Sequence, residues 1–163
     1  MLNEGDTAPD VTLATPEGGT LTLSELRGSP LVLYFYPKDD TSGCTAEAQD
    51  FSRLKAAFDM ANTGILGVSR NSAADHSRFI AKYDLKIPLA TDSDGAVCEA
   101  FGTWVEKSMY GRKYMGIDRA TFLIDKDGRI ARIWRKVKVP GHADEVLRAA
   151  ETLQASLGEP RHS

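Results

Sequence analysis

Cys44 stands in YFYPKDDTSGCTAEAQDF, residues 34–51, seven residues after Pro37 and three after Thr41. An apolar run stops at the proline, and helical spacing begins near Ser42. That order puts the thiol at a helix start, where backbone N–H groups lack helical partners and the dipole is positive. Both effects favour a thiolate, the nucleophilic form of cysteine. Thr41 lies one turn earlier, a spacing that shares a side. Its hydroxyl can accept and donate beside the sulfur. A small polar substrate such as a hydroperoxide suits the pair, because both its oxygens accept and one carries a proton. Pro37 has no N–H and a fixed φ, so it can wall a pocket without offering a competing donor.

Breaking an O–O bond builds negative charge on the leaving oxygen, and a fixed donor there lowers the barrier. Arginine suits the task, being always charged and donating in a planar fork. Arg119, in GIDRATFLID ahead of an apolar strand, is the candidate, against the reading of a surface arginine at the start of a strand. Glu47 reads as a first-turn acid that favours the helix dipole, with a part in the site as the alternative. Tyr34 and Tyr36 read as core or pocket wall.

These residues need elements to hold them. Short strands are expected at Val11–Ala14 and Thr20–Leu23 around the PEGG turn, and a capped helical turn follows in SELRG. Leu31–Tyr36 is unbroken apolar sequence, the mark of a strand buried on both faces. The spacing of Ala46, Phe51, Leu54 and Phe58 predicts one helix from about Ser42 to Ala61. GILGVS, 64–69, is a second buried strand, and Ser72-Ala-Ala-Asp75 caps a helix to about Tyr83 with Phe79, Ile80 and Tyr83 inward. Leu89–Thr91 reads as a strand and Gly95–Phe101 as a short helix. Ala120–Ile124 and Ile130–Lys136 form a hairpin over Asp125-Lys-Asp-Gly128. The last helix runs over His142–Leu157, with Val146, Leu147, Ala150, Leu153 and Leu157 on its apolar face. The order fits one α/β domain over residues 1–163, a thioredoxin-like fold with a central mixed sheet flanked by helices.

The pattern Pro37-x-x-x-Thr41-x-x-Cys44 matches the active-site pattern of the peroxiredoxins. The wider stretch, with GILGVS, PLATDSDGAVCEAFG, KSMYGRKYMGIDRATFLID and WRKVKVPGHADEVL, resembles the peroxiredoxin Q branch, also called bacterioferritin comigratory proteins. The resemblance runs from about Gly5 to Leu157. It implies a thiol-dependent peroxidase that reduces hydrogen peroxide and organic hydroperoxides. Cys44 would be the peroxidatic cysteine that becomes a sulfenic acid, Thr41 would orient the peroxide, Pro37 would shield the sulfur, and Arg119 would hold the thiolate and the developing oxyanion.

Many members of this branch resolve the sulfenic acid with a second cysteine, either five residues on or on the next helix. Here Gln49 and Ile80 occupy those positions. Cys98 remains, read as a structural cysteine, with resolution of Cys44 as the alternative. The expected cycle therefore uses Cys44 alone and an external thiol, thioredoxin or glutathione with glutaredoxin. Branch members are often monomers, so a monomer or weak dimer is expected.

The rest of the sequence narrows the alternatives. A net charge of −3 gives no general argument for nucleic acid, and the basic run within Lys126–Lys138 reads as a solvated strand face, with an anion or partner patch as the alternative. The N-terminus lacks the basic and apolar regions of a signal peptide, and no run reaches membrane-spanning length. Two cysteines make no disulfide scaffold, which points to a reducing cytoplasm. There is no C-x-x-C for dithiol exchange, and His76, His142 and His162 are scattered with no metal-ligand spacing. No cofactor is expected. The rival reading is a redox sensor or binding module that relays oxidation from Cys44 to a partner protein.

Overall fold

Leu31–Phe35 forms strand β3, and all five side chains are buried. The computed structural model describes residues 1–158; His162 and the Leu157 side chain lie outside the described residues. Around β3 the chain forms β1 (Thr12–Ala14), β2 (Thr20–Thr22), α1 (Ser42–Arg53), α2 (Lys55–Met60), β4 (Gly64–Ser69), α3 (Ala73–Tyr83) and β5 (Leu89–Thr91). It continues through α4 (Ala96–Ala100), β6 (Trp104–Met109), β7 (Arg112–Ile117), β8 (Ala120–Ile124), β9 (Ile130–Trp134) and α5 (His142–Gly158). Seven strands make one sheet in the order β2-β1-β5-β4-β3-β8-β9. β3, β4 and β5 run parallel, while β8 and β9 join antiparallel. This is the expected thioredoxin-like mixed sheet.

Successive side chains of a strand point to opposite faces. Leu33 and Phe35 enter one core with Val97, Cys98 and Phe101 of α4 and its C-terminal end. Val32 and Tyr34, followed by Tyr36, enter the other with Cys44, Phe51, Phe58, Phe79 and Val146. Thus α1, α2, α3 and α5 cover the face that holds Cys44, and α4 packs on the reverse.

Three features depart from the pattern read along the chain. The helix expected over 42–61 breaks at Leu54, whose φ of −94° and ψ of 2° end α1 and start α2. Ala46 faces solvent, and the buried stripe of α1 is Cys44, Glu47, Ala48 and Phe51. Between α4 and β8 lies the β6–β7 hairpin, paired from Trp104–Ile117 to Met109–Arg112. Tyr110 and Gly111 form its turn with φ of 52° and 78°, the two positive values a type I′ turn requires. Much of the hairpin is exposed, so its sequence lacks a clear apolar alternation.

Tyr34 sits opposite Gly67 across β3 and β4. A Cβ on Gly67 would lie 2.7 Å from the Tyr34 ring and 2.8 Å from Leu89 Cδ2. Both neighbours are buried, so neither can yield freely. Gly67→Ala is expected to destabilise the fold by about 1–3 kcal/mol, as overpacking typically does. A urea midpoint equal to wild type would refute that close fit.

Candidate active site

The sheet, the loop after β3 and the start of α1 deliver the thiol. Thr41 caps the helix, and the first helical bond runs from Thr45 N–H to Thr41 C=O at 2.8 Å. Cys44 therefore lies in the first turn, where free amides and the dipole favour negative charge on sulfur. Its side chain is buried, at 2% exposure.

Arg119 arrives from the short link between β7 and β8. Its Nη2 donates to Cys44 Sγ at 3.4 Å, and its Nη1 donates to Glu47 Oε1 at 2.7 Å. Gly43 leaves the approach open, since a Cβ there would stand 3.2 Å from Nη2. Burial opposes the arginine's charge, but Glu47 and Cys44 outweigh it and hold its pKa above the ordinary value. Arg119 is thus no surface residue: it is the cation at the sulfur.

Glu47 is also placed differently from a dipole-favouring surface acid. It is 1% exposed, and its Oε2 has no hydrogen-bond partner. Burial pushes its pKa up to about 7, against the pull of Arg119. The residue anchors one arm of the guanidinium while the other reaches the sulfur. Its i, i+3 spacing from Cys44 was the available signal, because that spacing shares a helix face.

Thr41 is exposed, and its Oγ1 donates to Lys38 C=O at 2.8 Å. That bond uses the hydroxyl proton and leaves acceptor lone pairs. Pro37 is exposed too, beside Arg70, Trp104, Tyr114 and Met115 on a groove of about 340 Å³. It forms an outer wall and does not pack over a closed pocket. Tyr34 and Tyr36 are fully buried, as expected of core.

Cys98 belongs to the other side of the sheet. It packs with Leu33 and Phe35, whereas Cys44 packs with Val32 and Tyr34. Burial, then the Asp92 carboxylate, push its thiol up to about 12, which keeps it protonated and unreactive at neutral pH. Gln49 is exposed on α1, and Ile80 is half-buried on α3. In the basic run, Arg135 donates to Phe101 C=O and Gly102 C=O, and Arg132 lies over the Trp134 ring, so these two charges serve local packing.

A nucleophilic sulfur, a fixed guanidinium and a helix N-terminus converge here, and comparison with known proteins agrees on what the convergence is for. The AhpC/TSA family profile matches residues 4–133. This chain belongs to the AhpC/TSA family. Peroxiredoxin Bcp of Xanthomonas campestris pv. campestris is 49% identical over 140 residues, covering 86% of this chain and 88% of that one. Peroxiredoxin Bcp of Bacillus subtilis is 44% identical, covering 91% and 95%. Among solved structures, a Xylella fastidiosa PrxQ mutant superposes with a TM-score of 0.88 at 43% identity, covering 93% of this chain and 97% of that one. The bacterioferritin comigratory protein of Xanthomonas campestris, described for its alkyl peroxide reduction activity, gives 0.84 at 46% identity, covering 88% and 92%. As an AhpC/TSA protein of the Bcp kind, the chain is a thiol-dependent peroxidase. No helix among the described residues is long and apolar enough to cross a membrane.

Proposed function

We infer that Cys44 reduces hydrogen peroxide and organic hydroperoxides in a one-cysteine cycle, in a reducing cytoplasm. The observation that carries this reading is the 3.4 Å contact from Arg119 Nη2 to Cys44 Sγ at the start of α1. The alkyl peroxide reduction activity of the Xanthomonas relative supports the organic substrates.

The thiolate attacks one peroxide oxygen along the O–O axis. An S–O bond forms, the O–O bond breaks, and the leaving oxygen departs with the electron pair and takes up a proton. Cys44 is left as a sulfenic acid, oxidised by two electrons. Arg119 stabilises the thiolate before attack and the charge that develops on oxygen during it. Thr41 Oγ1 accepts the peroxide O–H, since its own proton is held by Lys38 C=O. Pro37 bounds the approach from the groove side.

An external thiol then condenses with the sulfenic acid, releasing water and forming a mixed disulfide. A second thiol frees Cys44. Thioredoxin, or glutathione with glutaredoxin, supplies these equivalents to a monomer or weak dimer. The support is the lack of a second sulfur at 49 or 80, and the sheet between Cys44 and Cys98.

Intact mass after one equivalent of peroxide tests the cycle. One added oxygen is expected, removed by external thiol, and Cys98→Ser should turn over at close to the wild-type rate. A Cys44–Cys98 disulfide, with turnover lost in Cys98→Ser, would overturn it. A single oxidation with no sustained turnover under any of these reductants would favour the sensor reading.

A further inference from the structure

Behind the reactive loop lies a buried polar cluster that the reaction at Cys44 does not use. His76 on α3 is wholly buried, and Asp39, in the loop between Pro37 and Thr41, is 7% exposed. Asp39 Oδ1 accepts from Tyr36 O–H at 2.5 Å, and Asp39 Oδ2 lies 2.6 Å from His76 Nδ1. Tyr36 O–H also stands 3.4 Å from that nitrogen. On the ring's far side His76 Nε2 is 3.0 Å from Ala90 C=O. The Asp39 N–H donates to Asn71 Oδ1 at 3.0 Å. One carboxylate and one imidazole thus join the end of β3, the reactive loop, α3 and β5.

The protons can be assigned from chemistry. A carbonyl oxygen only accepts, so Nε2 carries a hydrogen. Two bare lone pairs would repel at 2.6 Å, so one proton also lies between Nδ1 and Oδ2. The pair is therefore neutral as a whole, whichever partner holds that proton. This explains how it survives burial, where an unpaired charge would be costly. No side-chain atom of Asp39 or His76 lacks a partner.

The loop needs such an anchor. Asp40 adopts a φ of 58°, in the left-handed region. Thr41 bonds back to Lys38, within the loop itself. On the solvent side Asp40 accepts from Lys82 Nζ and Tyr83 O–H of α3, but these are exposed contacts and contribute little. The buried Asp39–His76 bond, beside the part-buried one from Asp39 N–H to Asn71, attaches the loop to the body of the protein.

We propose that Asp39 and His76 form a proton-sharing clamp that positions the Pro37–Thr41 loop, and with it Thr41 and the first turn of α1, for the reaction at Cys44. His76 is then a positioning residue for peroxide reduction, although it touches neither sulfur nor substrate. The inference rests on Cys44 being the reacting thiol. A misplacement near 1 Å can slow a positioned reaction about 100-fold.

The test uses His76→Phe, Asp39→Ala, their double variant and Asp39→Asn. The double variant removes both partners, so no buried charge is stranded if a single variant folds poorly. Asparagine can accept from Tyr36 through Oδ1 and donate to Nδ1 of a neutral His76, so it keeps the contact. The rate of Cys44 oxidation by hydrogen peroxide is measured by rapid quench and intact mass, on protein shown folded by circular dichroism. The expected result is an about 10- to 100-fold slower rate in His76→Phe, Asp39→Ala and the double variant. The double should be no slower than the worse single, as for residues acting as a unit, with Asp39→Asn retaining most of the rate. Proton spectra of the wild type should show an exchange-protected, downfield imidazole N–H that vanishes in His76→Phe and Asp39→Ala. A folded double variant that melts earlier but reacts at the wild-type rate would make the pair merely structural and overturn the clamp, as would absence of the downfield proton in wild type. Failure of wild-type Cys44 to react with peroxide would instead overturn the reading of Cys44, and the clamp with it.

Discussion

Cys44→Ser is expected to abolish peroxide turnover, and Arg119→Met to slow oxidation of Cys44 by about 100- to 1,000-fold, the usual effect of deleting one preorganised donor at a developing oxyanion. Serine's hydroxyl is not deprotonated by a helix start alone, so it offers no nucleophile. The arginine effect has two sources. The sulfur loses its 3.4 Å donor, and the leaving oxygen loses the only cation the structure brings to Cys44 among the described residues. Arg119→Lys should recover little. The guanidinium spans Glu47 Oε1 and Cys44 Sγ with two nitrogens at once, and a single ammonium is a point charge without that fork. Loss of Arg119 also strands the Glu47 carboxyl, which can weaken the fold and blur a rate measurement. Arg119→Met with Glu47→Gln avoids this, leaving a neutral amide on the buried face. Stopped-flow oxidation at several peroxide concentrations, on folded protein, provides the check. A double variant within about threefold of wild type, well short of the expected loss, would remove Arg119 from the chemistry.

Much of this site was legible because it is local. Pro37, Thr41 and Cys44 lie on one loop and one helix turn, and the apolar run before them marks a strand without any tertiary knowledge. Arg119 could be named but not placed, because 75 residues separate it from Cys44. Glu47 reads from sequence as a first-turn acid that favours the dipole, with a part in the site as the alternative, because charged residues are seldom fully buried unless paired and its partner lies 72 residues away. Phe51, Leu54 and Phe58 do face the core as their spacing implies, but taking Ala46 as the inward position one turn earlier leaves Glu47 outside the buried stripe. The spacing along α3 turns Phe79, Ile80 and Tyr83 inward but leaves His76 as one of three scattered histidines; its burial on that face, and its meeting with Asp39 and Ala90, are seen only in the fold. The β6–β7 hairpin was missed for a different reason. Its exposed faces carry no burial pattern, and its one strong signal is the Tyr110-Gly111 turn.

Two buried groups whose protonation is displaced within the acidic-to-neutral range, Glu47 and His142, should give opposite pH slopes. Glu47 moves from the ordinary 4.5 up to about 7 through burial. Between those values the folded protein holds a proton that the unfolded chain has lost, so stability is highest below pH 4.5 and falls as pH rises through about 7. His142 goes the other way. Burial, helped by the positive charge of Arg119 and opposed by Glu145, lowers it from 6.5 to about 4. It packs edge-on against Phe51 and Trp134, with Nε2 2.8 Å from Thr121 Oγ1. In its window the unfolded chain binds the proton that the folded protein refuses, so stability rises from about pH 4 to about 6.5. At about 1.4 kcal/mol for each tenfold change, either group accounts for at most about 3.5 kcal/mol. Over the shared window the slopes oppose, and their contributions to the wild-type profile largely cancel. Removing one should expose the other: Glu47→Gln should grow more stable from pH 4.5 to 6.5, and His142→Gln less stable. Urea unfolding at half-unit pH steps, with each variant compared to wild type, separates them. If Glu47→Gln runs parallel to wild type across that window, Glu47 is ionised throughout. The buried carboxylate would then be fully paired with Arg119, and the guanidinium's charge would be shared between Glu47 and the sulfur at every working pH. If the curves diverge as expected, Glu47 becomes neutral on the acid side of about pH 7, and the whole charge of Arg119 is left to Cys44.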